Sequence, residues 1–393
     1  MGEILINTTT ASIQRQPAVA GFLNSHYLVV WEDAGAFDIK GQLFQADGTR
    51  FRDEFVVNGP GSDPGNTDRG FPAATGTGSG PVVVWLERAI NPPGPQPRVK
   101  MQRFDLEGRK AGPEIQVSTS DADPERRPSV TSTIDGGCLV AWADARSDQR
   151  IRAQRFGPDG AKKGSEFTVN VTEGFHHSPI TTRISGDFVV AWRSDPSAPG
   201  GGALTFRILD FEGSPKTGET VPGLSGFRGD RAMTVLDDGR FVIAHVRGFG
   251  PTDLGVDASL VEASVFKADG TRSAVFSATS ADGINSAAPA LAPLPNGRFL
   301  LSWVQKSAET FSTVPTVRAK VFAADVGSVG PEIEVDNGSA EDRFHLTAGS
   351  VFDPAEGEKA FLVWADRGGA DGDSSDTAVR GRILDVTPPG GLA

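Results

Sequence analysis

The chain has 393 residues and a formal charge of −12, a balance that opposes a phosphate backbone or an anionic membrane surface, and nucleic acid is therefore not an expected partner. No apolar run approaches the ~20 residues needed to span a bilayer, so membrane insertion is not expected either. Forty-eight Gly and twenty-seven Pro punctuate short apolar runs that lack a 3.6-residue period, which argues for an all-β chain.

In chain order, the first candidate strand is EILIN, residues 3–7. A four-element phrase then recurs seven times. Its first element is a small-residue segment, seen as PAVAG from Pro17, PAATG from Pro72, PSVTS from Pro128, PITTR from Pro179, RAMTV from Arg231 and PALAP from Pro289. Small side chains suit a crowded inner strand. The second is an apolar phrase closing on Trp31, Trp85, Trp142, Trp192, His245, Trp303 or Trp364, at intervals of 50 to 61 residues. Unbroken apolar character predicts a strand covered on both faces, and we read these seven residues as packing between repeats, His245 standing where the others have Trp.

The third element alternates, from IKGQLF ending at Phe44 to VRGRIL ending at Leu384, and predicts a half-covered strand. The fourth, with EFVVN from Glu54 as its pattern, predicts an outer edge on which charge discourages pairing between molecules. In all six internal copies ten positions separate the end of the third element from the start of the fourth, and five of them place Asp-Gly or Glu-Gly at the same offset, as at Asp47-Gly48. The glycine supplies the positive φ that such a hairpin needs. Copy six departs with Asp325-Val326-Gly327.

Copy seven ends at Leu384 without a fourth element, and EILIN matches the missing piece. Repeats of this length built from short strands point to a radial array. The arrangement resembles a seven-bladed β-propeller of four-stranded antiparallel blades closed by strands from both termini, so that no sheet edge is left open. We expect one domain over 1–393, with blades at 8–58, 59–118, 119–170, 171–223, 224–279, 280–336 and 337–385 plus 3–7.

Loops between second and third strands range from 7 residues after Trp31 to 15 after His245, so diversity concentrates on one face, where binding residues are expected. Asp33, Glu87, Asp144, Asp195 and Asp366 open these loops, and with Phe249 and Phe311 they are the candidate ligand contacts; Phe175 and Phe227 are further loop aromatics. Each carboxylate also has a plainer reading, accepting amides of its own loop or pairing with a third-strand cation. The loop after Trp364 offers Asp366, Asp371, Asp373 and Asp376 as oxygen ligands for calcium, although their spacing fits no EF-hand. His176 and His177 read as exposed loop residues, Tyr27 as core, and the lone Cys138 as a buried hydrophobe.

No catalytic constellation can be assembled from spacing. The phrase of apolar strand, Trp, acidic loop, I-x-x-Q-x-F, Asp-Gly and E-F-x-V-N resembles repeats of large bacterial secreted and surface proteins, including ones with calcium-binding tails. That resemblance implies an extracellular or cell-surface recognition and adhesion module, lectin-like in binding a glycan or protein through its loop face. The expectation is thus a noncatalytic binder. A structural scaffold within a larger surface complex, and a glycosidase or lyase on the same frame, are the alternatives. The N-terminus lacks a basic segment followed by an apolar one, so we expect a mature or excised form, or export by another signal.

Overall fold

The computed structural model describes all residues except 1, 23–24, 61–64, 92–93, 95, 146–149, 196–201, 225–226, 252–256, 279–283, 308–314, 326, 337–341, 354–356, 368–376 and 389–393, and gives the backbone alone for 227–229, 249–251, 257–258, 284–285 and 306–307. The fold is all-β, seven four-stranded antiparallel blades forming a propeller. The inner strands are Gln14–Phe22, Thr67–Thr77, Ser129–Ser132, Phe175–Ile184, Phe227–Val235, Ile284–Leu294 and Asp342–Asp353, and each lies beside the next, the last returning to the first.

The second strands lie between neighbouring blades, and their alternate side chains enter two different interfaces. In blade 2, Val83 and Trp85 pack with Leu28, Val30 and Leu43 of blade 1, while Val82, Val84 and Leu86 pack with Val140, Trp142 and Phe156 of blade 3. Seven apolar clusters correspond in this way to seven interfaces, and six contain one tryptophan. All six tryptophans are at most 1% exposed. The cluster between blades 4 and 5 has none, and the fully buried His245 occupies that place in the repeat. Tyr27 is also core, its hydroxyl donating to the Lys359 carbonyl at 2.9 Å.

Inner strands approach one another closely enough to exclude a Cβ. One built on Gly21 would lie 2.3 Å from the Ser350 carbonyl oxygen, and one on Gly76 2.1 Å from that of Gly21. This is the physical reason for the small-residue segments of the sequence.

The third and fourth strands depart from the sequence reading. The glutamine of I-x-x-Q-x-F is buried, as Gln42, Gln102 and Gln154, and its amide donates to carbonyls of the following turn and fourth strand, such as Gly112 O at 3.0 Å from Gln102. The fourth-strand glutamates are not repulsive edge charges. Glu54 accepts from the backbone N–H groups of Thr8 and Thr9, Glu166 from Thr119 N, and Glu219 from Thr172 N, each latching its blade to the end of the preceding one. These hydrogen bonds hold the Glu54, Glu166 and Glu219 carboxyls below the usual range against a burial effect in the other direction.

The N-terminal segment pairs as a fourth strand. Ile4–Leu5 pairs antiparallel with Ala378–Asp385, Ile6 N donates to Val379 O at 2.8 Å, and Asn7 Oδ1 accepts from Val379 N at 2.9 Å. Val57 and Asn58 treat Ile39 identically in blade 1, and Val169 and Asn170 treat Ile151 so in blade 3. Thr8 and Thr9 then receive the Glu54 latch, so closure includes the contact to the next blade. Blade 4 is the exception. Its fourth strand is reduced to the bridge Phe206 to Thr220, because Pro222 occupies the position whose N–H donates to the third strand in the other blades.

Candidate functional site

Each predicted contact residue has a definite place. Asp33 is buried and accepts from Gly35 N and Ala36 N, both at 3.2 Å. Glu87 is buried between Arg69 and Lys100, each at 3.4 Å, and Asp144 accepts from Arg150 N at 2.9 Å and Arg152 Nε at 3.1 Å. Asp366 pairs with Arg380 at 2.6 Å, and its burial pushes the carboxyl up to about 6. Phe311, Asp371, Asp373 and Asp376 lie outside the described residues, as does the Phe249 side chain. Among the described residues no three His, Cys, Asp or Glu side chains are gathered around a point that could hold a metal.

Asp195 differs. It is only partly buried and lies on a shared face of the hairpin formed by the first two strands of blade 4, where Phe175 pairs with Asp195 and His177 with Arg193. Residues two apart on a strand point the same way, so Phe175, His177, Arg193 and Asp195 form one surface. His176 points to the other side, its ring edge-on to Trp192 with centroids 6.3 Å apart. Neither histidine is the exposed loop residue that the sequence suggested: they are 2% and 8% exposed, within the strand Phe175–Ile184.

His177 lines a cavity of about 340 Å³ together with Arg126, Arg127, Arg193, Asp230 and Arg231. Its Nε2 is 2.8 Å from Asp195 Oδ2, and its Nδ1 is 3.0 Å from Ser178 Oγ. An ionised carboxylate only accepts, so Nε2 carries the ring proton and Nδ1 keeps a lone pair facing the serine hydroxyl. Burial lowers the His177 pKa below the ordinary imidazole value, with Arg126 and Arg231 adding to the effect and Asp195 opposing it. The imidazole is accordingly neutral at pH 7.

Two of the arginines, Arg127 and Arg231, are anchored by a repeated backbone device. A bulge interrupts pairing of the inner and second strands in six blades, and five of the bulges carry a non-glycine residue at positive φ, namely Gln16 (55°), Phe71 (57°), Ser178 (52°), Ala288 (48°) and His345 (54°). A left-handed residue in a bulge turns neighbouring side chains out of the regular pleat. In blade 4 it exposes a carbonyl, Ser178 O, to which Arg231 donates; Arg127 of blade 3 reaches the Gln16 carbonyl of blade 1 at 3.2 Å. Burial lowers both guanidinium groups to about 10, where they remain charged at neutral pH. A protein of net charge −12 thus concentrates four arginines around one small opening.

This cluster was hidden because its members are scattered over 106 positions from Arg126 to Arg231. A usable signal did exist: the column preceding the first-strand Pro reads Gln16, Phe71, Arg127, Ser178 and Ala288, mostly large or polar where the strand itself is small. A larger cavity is elsewhere, about 800 Å³ at the opposite ends of the inner strands. Arg183 is its only charged lining group, amid glycines, hydroxyls and apolar side chains, and it holds no acid–base pair.

The fold defines the class as a seven-bladed β-propeller. No family model and no curated protein sequence matches the chain. Among solved structures it is similar to a PL25 ulvan lyase bound to -[GlcA(1-4)Rha3S]-, with 10% identity, 98% of this chain and 94% of that one covered, and a TM-score of 0.56. It is similar to the polysaccharide lyase Uly1 at 10% identity, with 97% and 91% covered and a TM-score of 0.54. The α-L-arabinofuranosidase Arb93A from Fusarium graminearum gives 10% identity, 98% of each chain covered and a TM-score of 0.52. The scaffold resemblance to propellers is supported at this level; the likeness to repeats of calcium-tailed proteins finds no matching family. The expectation of a noncatalytic module is corrected by these neighbours, which are two polysaccharide lyases and an α-L-arabinofuranosidase, and the structure places His177, held by Asp195, in an arginine-lined cavity rather than on the plain loop face that was expected.

Proposed function

We propose that the protein is a glycan-processing enzyme that cleaves an acidic polysaccharide by β-elimination at the cavity around His177. The observation that carries this reading is the convergence of four arginines on a neutral histidine whose Nε2 is fixed by Asp195. Hydrolysis with paired carboxylates asks for two acids flanking the scissile bond, whereas Asp230 is the one carboxylate among the described residues lining this cavity. Elimination asks for something else. The carboxylate of a uronic acid must be neutralised so that the adjacent C5 proton can leave, and a base must be present to take it.

The side chains supply both requirements. Arg127, Arg193 or Arg231 holds the uronate carboxylate and stabilises the negative charge that grows on it. His177 Nδ1 removes the C5 proton, the C5–H electron pair becomes the C4–C5 double bond, and the C4–O bond breaks with its pair on the departing oxygen. That oxygen takes up a proton, for which the newly formed imidazolium is an acid already in the cavity. Asp195 keeps Nε2 protonated and stabilises the cation. We place the enzyme outside the cell, where such polymers occur, as an extension of this reading.

The test is incubation with uronate-containing polysaccharides, followed by the ultraviolet absorbance of the new conjugated double bond. Absorbance that disappears in His177→Ala supports elimination. New reducing ends without absorbance, or no product from any such polymer, would overturn it.

A further inference from the structure

The His177 cavity is not isolated. A second cavity of about 570 Å³ shares Asp230 and Arg231 with it and extends toward blades 6 and 7. Asp230 is fixed as part of the dividing wall, its Oδ2 accepting from Ala288 N at 3.4 Å.

The two cavities differ in charge. In the first, Arg193 pairs with Asp195 at 2.6 Å and Arg126 lies 3.9 Å from Asp123, so four arginines stand against three carboxylates once Asp230 is counted, and the hydrogen bond of Arg127 is to a neutral carbonyl rather than to a carboxylate. In the second, Arg231 and Arg343 face Asp230 and Asp342. Arg343 is moreover buried against Asp336 at 2.5 Å and donates to the Pro315 carbonyl, so its charge is cancelled where it stands. His345 adds no charge there, because burial, then Arg127 and Arg15, lower its pKa to about 4. Ala287, Pro289, Val304 and Leu346 supply apolar wall, and the rings of Phe344 and His345 meet edge to face at 5.0 Å. An acidic sugar entering here would lose water and meet two arginines, Arg231 and Arg343, against three carboxylates, Asp230, Asp342 and Asp336.

We infer that the two cavities are adjoining subsites of opposite preference, the first for an acidic sugar and the second for an uncharged one, so that the preferred polymer places an uncharged sugar next to each uronate. This rests on the glycan-processing reading of the first cavity and adds the composition of the chain that crosses it. Apolar walls with an aromatic edge suit the C–H faces of an uncharged pyranose.

The experiment compares tetrasaccharides from hyaluronan, in which uronate alternates with an uncharged amino sugar, from its sulfated counterpart chondroitin sulfate, and from homogalacturonan, in which every sugar is acidic. Binding to His177→Ala is measured calorimetrically and cleavage with the unaltered enzyme. The expected result is binding at least tenfold tighter for the hyaluronan fragment than for either of the others. Asp342→Lys, which adds a cation to the second cavity, is expected to narrow that ratio, with an unchanged melting temperature as control for folding. Equal or tighter binding of the all-acidic or sulfated fragment overturns the inference while leaving elimination standing. The predicted binding order without turnover of any of them overturns elimination while leaving the paired subsites standing.

Discussion

Asn7 Oδ1 accepts a 2.9 Å hydrogen bond from the backbone N–H of Val379, a residue 372 positions later in the chain. Neither group is exposed, Asn7 and Val379 both being fully buried. The bond joins the two ends of the ring at the one blade that is built from both. Substituting Asn7→Ala leaves the Val379 N–H without this acceptor in a place that water does not reach, which costs about 1–3 kcal/mol. Urea denaturation should show a lower midpoint of that size, and an Asn58→Ala variant, which removes the same bond within one blade, should lose a similar amount of local stability. An Asn7 variant as stable as the parent would mean that the terminal strand does not carry closure.

His177 makes a prediction in pH. In the proposed elimination its neutral form is the base, and burial holds its pKa below the ordinary imidazole value, so the rate should fall on the acid side only below that value. Asp195→Asn removes the carboxylate that raises the histidine pKa, so the acid limb should move to lower pH. The same change loosens control of the tautomer and weakens the 2.6 Å pairing that holds Arg193, so kcat should drop by about 10²-fold or more and KM should rise as well. A structural role for Asp195 would instead lower the melting temperature without moving the pH limb.

These two sites were unequally legible. Six tryptophans and His245 at one register position were enough for seven blades because contact between blades needs a large side chain there, and matching EILIN to EFVVN was enough for closure because these two segments share both their N–H donor and their Asn. The glutamate latches and buried glutamines misled, since a charged or amide side chain in an alternating strand reads as solvent-facing until its backbone partner in the next segment is seen. The catalytic candidates were obscured for a further reason. His177, Arg127 and Arg231 belong to three blades, with His177 and Arg231 at bulges of their inner strands and Arg127 just before the inner strand of blade 3, so neither loop length nor motif spacing points to them.

Asp366 links closure to pH. Its folded pKa of about 6 lies above the ordinary 3.8, chiefly through burial, with Arg380 pulling the other way and Glu3 adding to the rise. The folded state therefore holds this proton more tightly than the unfolded chain does. Its stabilising contribution is fully present below about pH 4 and is lost as pH rises through 6. Asp366→Asn should remove that slope, so the difference in stability between parent and variant should change between pH 4 and 6 and stay level from 7 to 8. A constant difference across the whole range would show that the carboxyl titrates normally in the fold.

Pro222 offers a test of how the fourth strand is held. In six blades the corresponding N–H, such as that of Val57 or Val117, donates to the third strand, and Pro222 has no N–H to give. Pro222→Val restores the donor opposite Leu204, and a new backbone hydrogen bond is worth about 0.5–1.5 kcal/mol. Removing proline also returns freedom to the unfolded chain, which offsets about 0.4–1 kcal/mol of that gain. The two effects nearly cancel, so the melting temperature should hardly move and is the wrong measurement. Hydrogen exchange is the right one: the amide of Val at position 222 should be protected to the same degree as that of Val57, and fast exchange there would show that blade 4 keeps its fourth strand apart for a reason other than the missing donor.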